Sequence, residues 1–190
     1  MLLHTTKFIR SSCLSLVLFI PSALFAQKMD KPLIDKFTND TTLLTAKASI
    51  AKKDVGAYYQ QLEPYFSKVH GEITLHLIVD LPQADADRFY INAGSAILLK
   101  LADNTLISVP SATDIKSITG EERGGFLNQG ISTWTADIGL ELSAADVKKL
   151  LTTAITAIRV PTNKSNMDFD ISFNDAGILQ RMILLIDAAK

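Results

Sequence analysis

The sequence is short of the residues from which many exported and catalytic sites are built. Its 190 residues hold one cysteine, one tryptophan and three histidines. The cysteine, Cys13, lies in an N-terminal segment that reads as removable. The remainder then has no disulfide, no thiolate nucleophile and no cysteine-held zinc or iron–sulfur cluster. Charge of either sign is also in short supply: 19 Lys plus Arg face 20 Asp plus Glu, for a net charge of -1. Without a basic excess there is nothing to neutralise a phosphate backbone, so no nucleic-acid partner is expected. No long apolar run is present either. The longest N-terminal one, Cys13 to Ile20, stops at Pro21, well short of the ~20 residues a bilayer span needs. What is present is a 47% hydrophobic content, enough to exclude wholesale disorder and to give a chain of this length one sizeable core.

Residues 1–26 have the layout of a secretory signal peptide: Lys7 and Arg10 before a short apolar run, then Ser22 to Ala26 ending on a small residue. Cleavage is expected near Ala26, although Leu24 stands where a smaller residue is preferred. Cys13 opens the apolar run instead of closing it, so lipid anchoring is not expected. The protein is expected to be secreted or periplasmic, with no transmembrane span after cleavage. Its mature part carries 17 basic and 20 acidic residues, a net of -3.

Residues 27–41 read as a polar leader and 42–190 as a single α+β domain. The domain is expected to be a mainly antiparallel sheet, curled or two-layered, with a short helix after Leu142 and a long C-terminal helix packed on the sheet. Thr42 to Ala51 reads as an edge strand. Ala57 to Val69 fits two patterns. Tyr58, Leu62, Tyr65 and Val69 make a helical stripe, but Pro64 inside a helix would cost about 3 kcal/mol. A strand turning at His70-Gly71, with Phe66 opposite Leu75, is preferred. Ile73 to Leu81 alternates strictly, with Thr74, His76 and Asp80 on the wetter side. Phe89 to Asn92 adds a short strand.

Ser95 to Val109 reads as a hairpin closed by a two-residue loop at Asp103-Asn104. On that register Ile97, Leu99, Leu101 and Leu106 share one face and Leu98, Ile107 and Val109 the other, so both faces would be covered. Gly120 to Gly130 reads as a loop, and Gly130 to Leu142 as a strand. Ser143 and Asp146 match a capping box. Ile155 to Val160 and Met167 to Phe173 alternate as strands. Asn174 or Asp175 is expected to cap the last helix. There Ile178, Leu179, Met182, Ile183, Leu185 and Ile186 form a wide apolar stripe, with Gln180, Arg181 and Asp187 left for solvent.

Candidate chemistry is sparse. His70 and His76 lack metal-ligand spacing. Asp85 with Asp87, Glu121 with Glu122, and Asp168 with Asp170 are close in sequence but none has a calcium-loop frame. A hairpin joining residues 155–160 to 167–173 sets Arg159 opposite Asp168, a structural ion pair. Ser95 and Ser111 have no base partner and no G-x-S-x-G frame. Asn39 and Asn163 stand in glycosylation sequons that matter only in a eukaryotic host. Tyr58, Tyr59, Tyr65 and Phe66 cluster in sequence and form the candidate ligand-binding face. The expectation is an exported, non-enzymatic binding or structural module. Its partner would be a protein, peptide or glycan of the cell envelope, with no metal and no cofactor. The alternative is a small exported hydrolase or metal-dependent enzyme using His76 with Asp80 or nearby carboxylates.

Several separated stretches carry a resemblance. They are Asp35-Lys36-Phe37-Thr38, the Ile73–Leu81 strand and Leu98-Leu99-Lys100-Leu101. Further along come Leu142-Ser143 through Asp146-Val147 with Lys149-Leu150, then Ile155-Thr156-Ala157-Ile158-Arg159-Val160 and Asp168-Phe169-Asp170-Ile171. Together with the C-terminal helix they make the chain resemble an uncharacterised group of small secreted bacterial proteins. One departure is Asn39, where that group usually has glycine. The resemblance implies export and fold, and brings no activity, cofactor or catalytic residue.

Overall fold

Alternation of apolar and polar residues makes antiparallel strands the main element of the described residues. The structure is a computed structural model and describes residues 28–36, 38–55, 58–83, 88–120, 123–124 and 130–189, the side chains of 53–55, 58–59, 123–124 and 130–131 excepted. Residues 1–26, Asp85, Asp87, Glu121 and Glu122 lie outside the described residues, as do most of the expected 120–130 loop and the side chains of Tyr58 and Tyr59.

In chain order the strands are β1 (Leu33–Ile34), β2 (Thr41–Leu44), β3 (Ala51–Val55), β4 (Tyr58–Val69), β5 (Glu72–Pro82), β6 (Tyr90–Ile91), β7 (Ala96–Leu101) and β8 (Leu106–Pro110). They continue with β9 (Ile115–Lys116), β10 (Ile118–Thr119), β11 (Arg123–Gly124), β12 (Gly130–Ile131) and β13 (Thr133–Glu141). Helix α1 (Ala144–Thr152), β14 (Ile155–Pro161), β15 (Asn166–Asp170) and helix α2 (Phe173–Ala188) complete the chain. One sheet runs β1-β2-β4-β5-β13-β10, with β3 also paired to β4, and a second runs β15-β14-β7-β8. β6 with β9 and β11 with β12 form small ribbons. The fold is α+β, a curled antiparallel half-barrel with one short and one C-terminal helix. Among the described residues no helix is long and apolar enough to cross a membrane.

The segment 58–69 is strand along its whole length. Pro64 is tolerated because its carbonyl accepts from the Ala48 amide. Its nitrogen therefore also faces residues 45–50, between β2 and β3, and not the β5 ladder. The β4–β5 turn is His70-Gly71, both at positive φ (51° and 89°), the conformation a tight two-residue hairpin needs. Phe66 then pairs with Leu75. The residues expected in one edge strand, 42–51, divide instead. β2 pairs with the far half of β4, β3 with the near half, and the chain between them is irregular. The 27–41 segment contributes β1, which pairs with β2 at the sheet edge.

The inward faces of both sheets close on α2. Leu62, Phe66, Leu75, Leu77, Ile138 and Leu140 come from the first sheet, and Ile97, Leu99, Ile158, Val160 and Phe169 from the second. Ala176, Leu179, Met182, Ile183 and Ile186 of α2 are buried between them. Ile178 is only partly buried and Leu184 is exposed.

Three sequence expectations are corrected here. The β7–β8 loop has three residues: the Asn104 amide bonds the Leu101 carbonyl, and Asn104 alone takes positive φ (63°). The added residue shifts the register, so Ile107 and Val109 join Ile97, Leu99 and Leu101 on the buried face while Leu106 is 59% exposed. The hairpin is covered on one side, not two. The cap of α2 is Ser172, whose hydroxyl accepts from the Asp175 amide. This repeats the Ser143–Asp146 start of α1. Finally, Gln180 does not face solvent: its side-chain amide donates to the Leu150 and Leu151 carbonyls, which satisfies open groups at the end of α1.

Candidate functional site

The hairpin register that pairs Phe66 with Leu75 also sets Tyr65 opposite His76, on the other face of the sheet. On β13, Asp137 faces Ile78 and Gly139 faces His76. Outward-pointing residues of three neighbouring strands thereby meet. The Tyr65 and His76 rings stack with centroids 4.3 Å apart and planes within 10°. The Tyr65 hydroxyl donates to Asp137 Oδ2 at 2.8 Å. His76 Nδ1 lies 3.3 Å from Asp137 Oδ1, and its Nε2 lies 2.9 Å from Ser67 Oγ. A proton on Nδ1 lets the ring donate to Asp137, while Nε2 bonds the Ser67 hydroxyl. The His76 side chain is 23% exposed and that of Asp137 47%. Lys47 sits 5.6 Å from the Tyr65 ring centre.

These contacts set the electrostatics. Partial burial pushes the Asp137 carboxyl up. The hydrogen bonds from His76 and Tyr65, with the charges of His76 and Lys47, outweigh it and hold the group below the usual carboxylate range. Burial, then the adjoining Asp137 carboxylate, drives the Tyr65 hydroxyl well above the usual phenol range. Tyr65 therefore serves as a fixed donor.

Serine, histidine and aspartate stand in the order of an activated nucleophile, but the surroundings do not suit acyl transfer. Ser67 is 7% exposed and flanked by paired strands on both sides, Leu44 of β2 and Thr74 of β5. Backbone amides committed to two ladders do not form an oxyanion hole. The cluster is suited instead to presenting a rigid ring, a hydrogen-bonded imidazole and a carboxylate to solvent.

The residues singled out in the sequence are dispersed. Tyr65 is in the cluster. Phe66 is 1% exposed and belongs to the core, so it is removed from the expected face of Tyr58, Tyr59, Tyr65 and Phe66: neighbours on a strand point to opposite sides. Asp80, four residues along the same strand and so roughly 13 Å from His76, is buried and accepts from Thr135 Oγ1. The expected His76–Asp80 pairing gives way to His76 with Asp137. His70 is at the hairpin tip, 2.8 Å from Asp40 Oδ1. Hydrogen bonds from Thr38 and then His70 hold the Asp40 carboxyl below the usual range. Among the described residues no group of three or more His, Cys, Asp or Glu side chains gathers as metal ligands. Arg159 and Asp168 meet across β14–β15 in a two-pronged contact, Nε to Oδ1 at 2.6 Å and Nη2 to Oδ2 at 2.7 Å. It lies on the other sheet. Asn163 Oδ1 accepts from the Tyr90 amide and so ties the β14–β15 turn to β6.

Asp137 and Ser67 were not identified from the sequence. The alternation of β13 marks Asp137 as outward, between Ala136 and Ile138, but nothing local says which strand lies beside it. Past Thr74 and Glu141 the patch borders a groove of about 720 Å³ running to Ser143, Val147 and Lys148 of α1. Comparison of the chain with protein-family models, with curated proteins and with solved structures finds no match.

Proposed function

We propose that the chain is an exported, non-enzymatic binding module whose ligand face is the outward side of β4, β5 and β13 around Tyr65, His76 and Asp137. The observation that carries this reading is the stacked, hydrogen-bonded Tyr65–His76–Asp137 unit standing on the solvent side of a sheet. Groups fixed in orientation before a ligand arrives lose little conformational freedom on binding. Export rests on the signal-peptide layout of residues 1–26 and on the resemblance to small secreted bacterial proteins. Peptides and glycans of the cell envelope are the ligand classes such a location offers.

The test is an amide chemical-shift screen of the labelled protein against short peptides and envelope oligosaccharides. Shifts gathered on Tyr65, His76, Asp137 and Gly139 support the reading. Shifts confined to the α1 groove, or none, remove it. Export is checked by the intact mass of the secreted protein, which should lack residues 1–26.

The hydrolase alternative rests on the Ser67–His76–Asp137 order. A fluorophosphonate that labels Ser67 in the native protein, but not in the His76→Gln variant, would replace the binding reading with it.

A further inference from the structure

The geometry points to a slot over Gly139 that takes the planar cation of an arginine side chain from a peptide partner, an inference that rests on the outward sheet face being the ligand face. Tyr65 covers one face of the His76 ring from the β4 side. The other face turns toward β13, where the directly paired residue is Gly139. A Cβ at that position would stand 3.8 Å from His76 Cε1 and 3.9 Å from Nδ1. Its absence keeps any side chain of residue 139 off that ring face, whose border is the Thr74 methyl, 3.6 Å from the same position. The backbone does not require glycine here, because among the described residues the glycines at positive φ are Gly71 and Gly94. A mid-strand glycine weakens a strand and often marks a place where another group approaches closely.

The charge around the slot selects the occupant. Asp137 and Glu141 are the next outward residues on either side of Gly139, and both are exposed. Glu72, exposed on β5, adds a third carboxylate beyond Thr74. Lys47 is on the far side of Tyr65, and Lys148 belongs to the α1 wall of the neighbouring groove. A guanidinium matches this frame. It is flat, stacks on ring faces, sheds water readily and donates to carboxylates in a fork. An ammonium carries the charge but cannot stack, and an anionic ligand is repelled.

The experiment titrates the labelled full chain, at a pH above the usual histidine range, with three capped tripeptides: Gly-Arg-Gly, Gly-Lys-Gly and Gly-citrulline-Gly. The arginine peptide should shift the Gly139, His76 and Asp137 amides to saturation and bind at least about tenfold more tightly than the lysine and citrulline peptides. Gly139→Val should cover the ring, keep the urea midpoint and weaken the arginine peptide about tenfold or more. Gly139→Ala, whose Cβ meets only ordinary contacts, does the same more weakly if valine disturbs the strand. Lysine binding as well as arginine, or undiminished binding by a folded Gly139 variant, overturns the slot. If a neutral glycan or an aromatic peptide shifts these amides and the arginine peptide does not, the slot fails and the ligand face stands. If no probe shifts any outward amide of β4, β5 and β13, both fail.

Discussion

The two sides of β4, β5 and β13 are made by alternate residues of the same three strands, yet different physics holds them. Inward, Leu62, Phe66, Leu75, Leu77, Ile138 and Leu140 are almost wholly removed from water by contacts that have no preferred direction. Outward, Tyr65, Ser67, His76 and Asp137 depend on donors and acceptors that work only in one register. Burial supplies most of the stability and accepts substitutions that conserve volume. The polar side contributes little energy and fixes which residues can act together.

Truncation should separate the two sides, and the largest effects belong inside. Leu77→Ala and Ile183→Ala should each lose about 2–5 kcal/mol in urea melts, a large share of the roughly 5–15 kcal/mol such a domain holds. A small loss at Ile183 would mean that α2 does not dock on its own sheets. Gln180→Ala comes next, at about 1–2 kcal/mol, because two carbonyls of α1 lose their donor; an unchanged midpoint would show that water replaces it.

On the outward side, Tyr65→Phe should cost about 1 kcal/mol or less, the net value of an exposed hydrogen bond. Its sharper readout is the Asp137 titration by carbon NMR, which should move up toward the ordinary 3.8. The sign for stability follows from linkage. A carboxyl depressed in the folded state binds protons more readily unfolded. Its stabilisation is complete above the ordinary carboxylate range and is lost as pH falls through the depressed value. Asp137→Asn should lack that acid-side component and match the wild type's slope elsewhere. An equally steep acid loss in the variant would place the effect on another carboxyl. The smallest change should come from Asp168→Asn, at an exposed contact on the other sheet that salt screens; its melt should fall within the scatter of the wild type at high salt.

How far the sequence could be read depended on how local each signal was. The β4–β5 hairpin was legible because Pro64 and the His70-Gly71 turn both act within the segment, and the same register already set Tyr65 opposite His76. The β7–β8 faces were not legible, since one extra loop residue sends every side chain of one arm to the other side. The α2 cap was obscured by Phe173. It continues the alternation of Met167, Phe169 and Ile171, yet it is 93% exposed at the first helical position. The Ser172–Asp175 spacing, identical to that of Ser143–Asp146, was the available clue. Asp137 stayed hidden because its distance along the chain from His76, 61 residues, leaves no local trace.

That separation also orders the assembly of the patch in time. β4 and β5 are joined by two residues and can pair while the rest of the chain is still loose. β13 reaches β5 only after everything from β6 to β12 has been looped out, a closure whose entropy must be met before its contacts repay it. The Tyr65–His76 stack is therefore an early event, and the carboxylate that orients it a late one. Stopped-flow refolding should show Leu75 contacts formed in the transition state and Asp137 contacts absent from it. The patch then reports completed folding: a chain with β13 undocked presents two rings without the carboxylate that orients them.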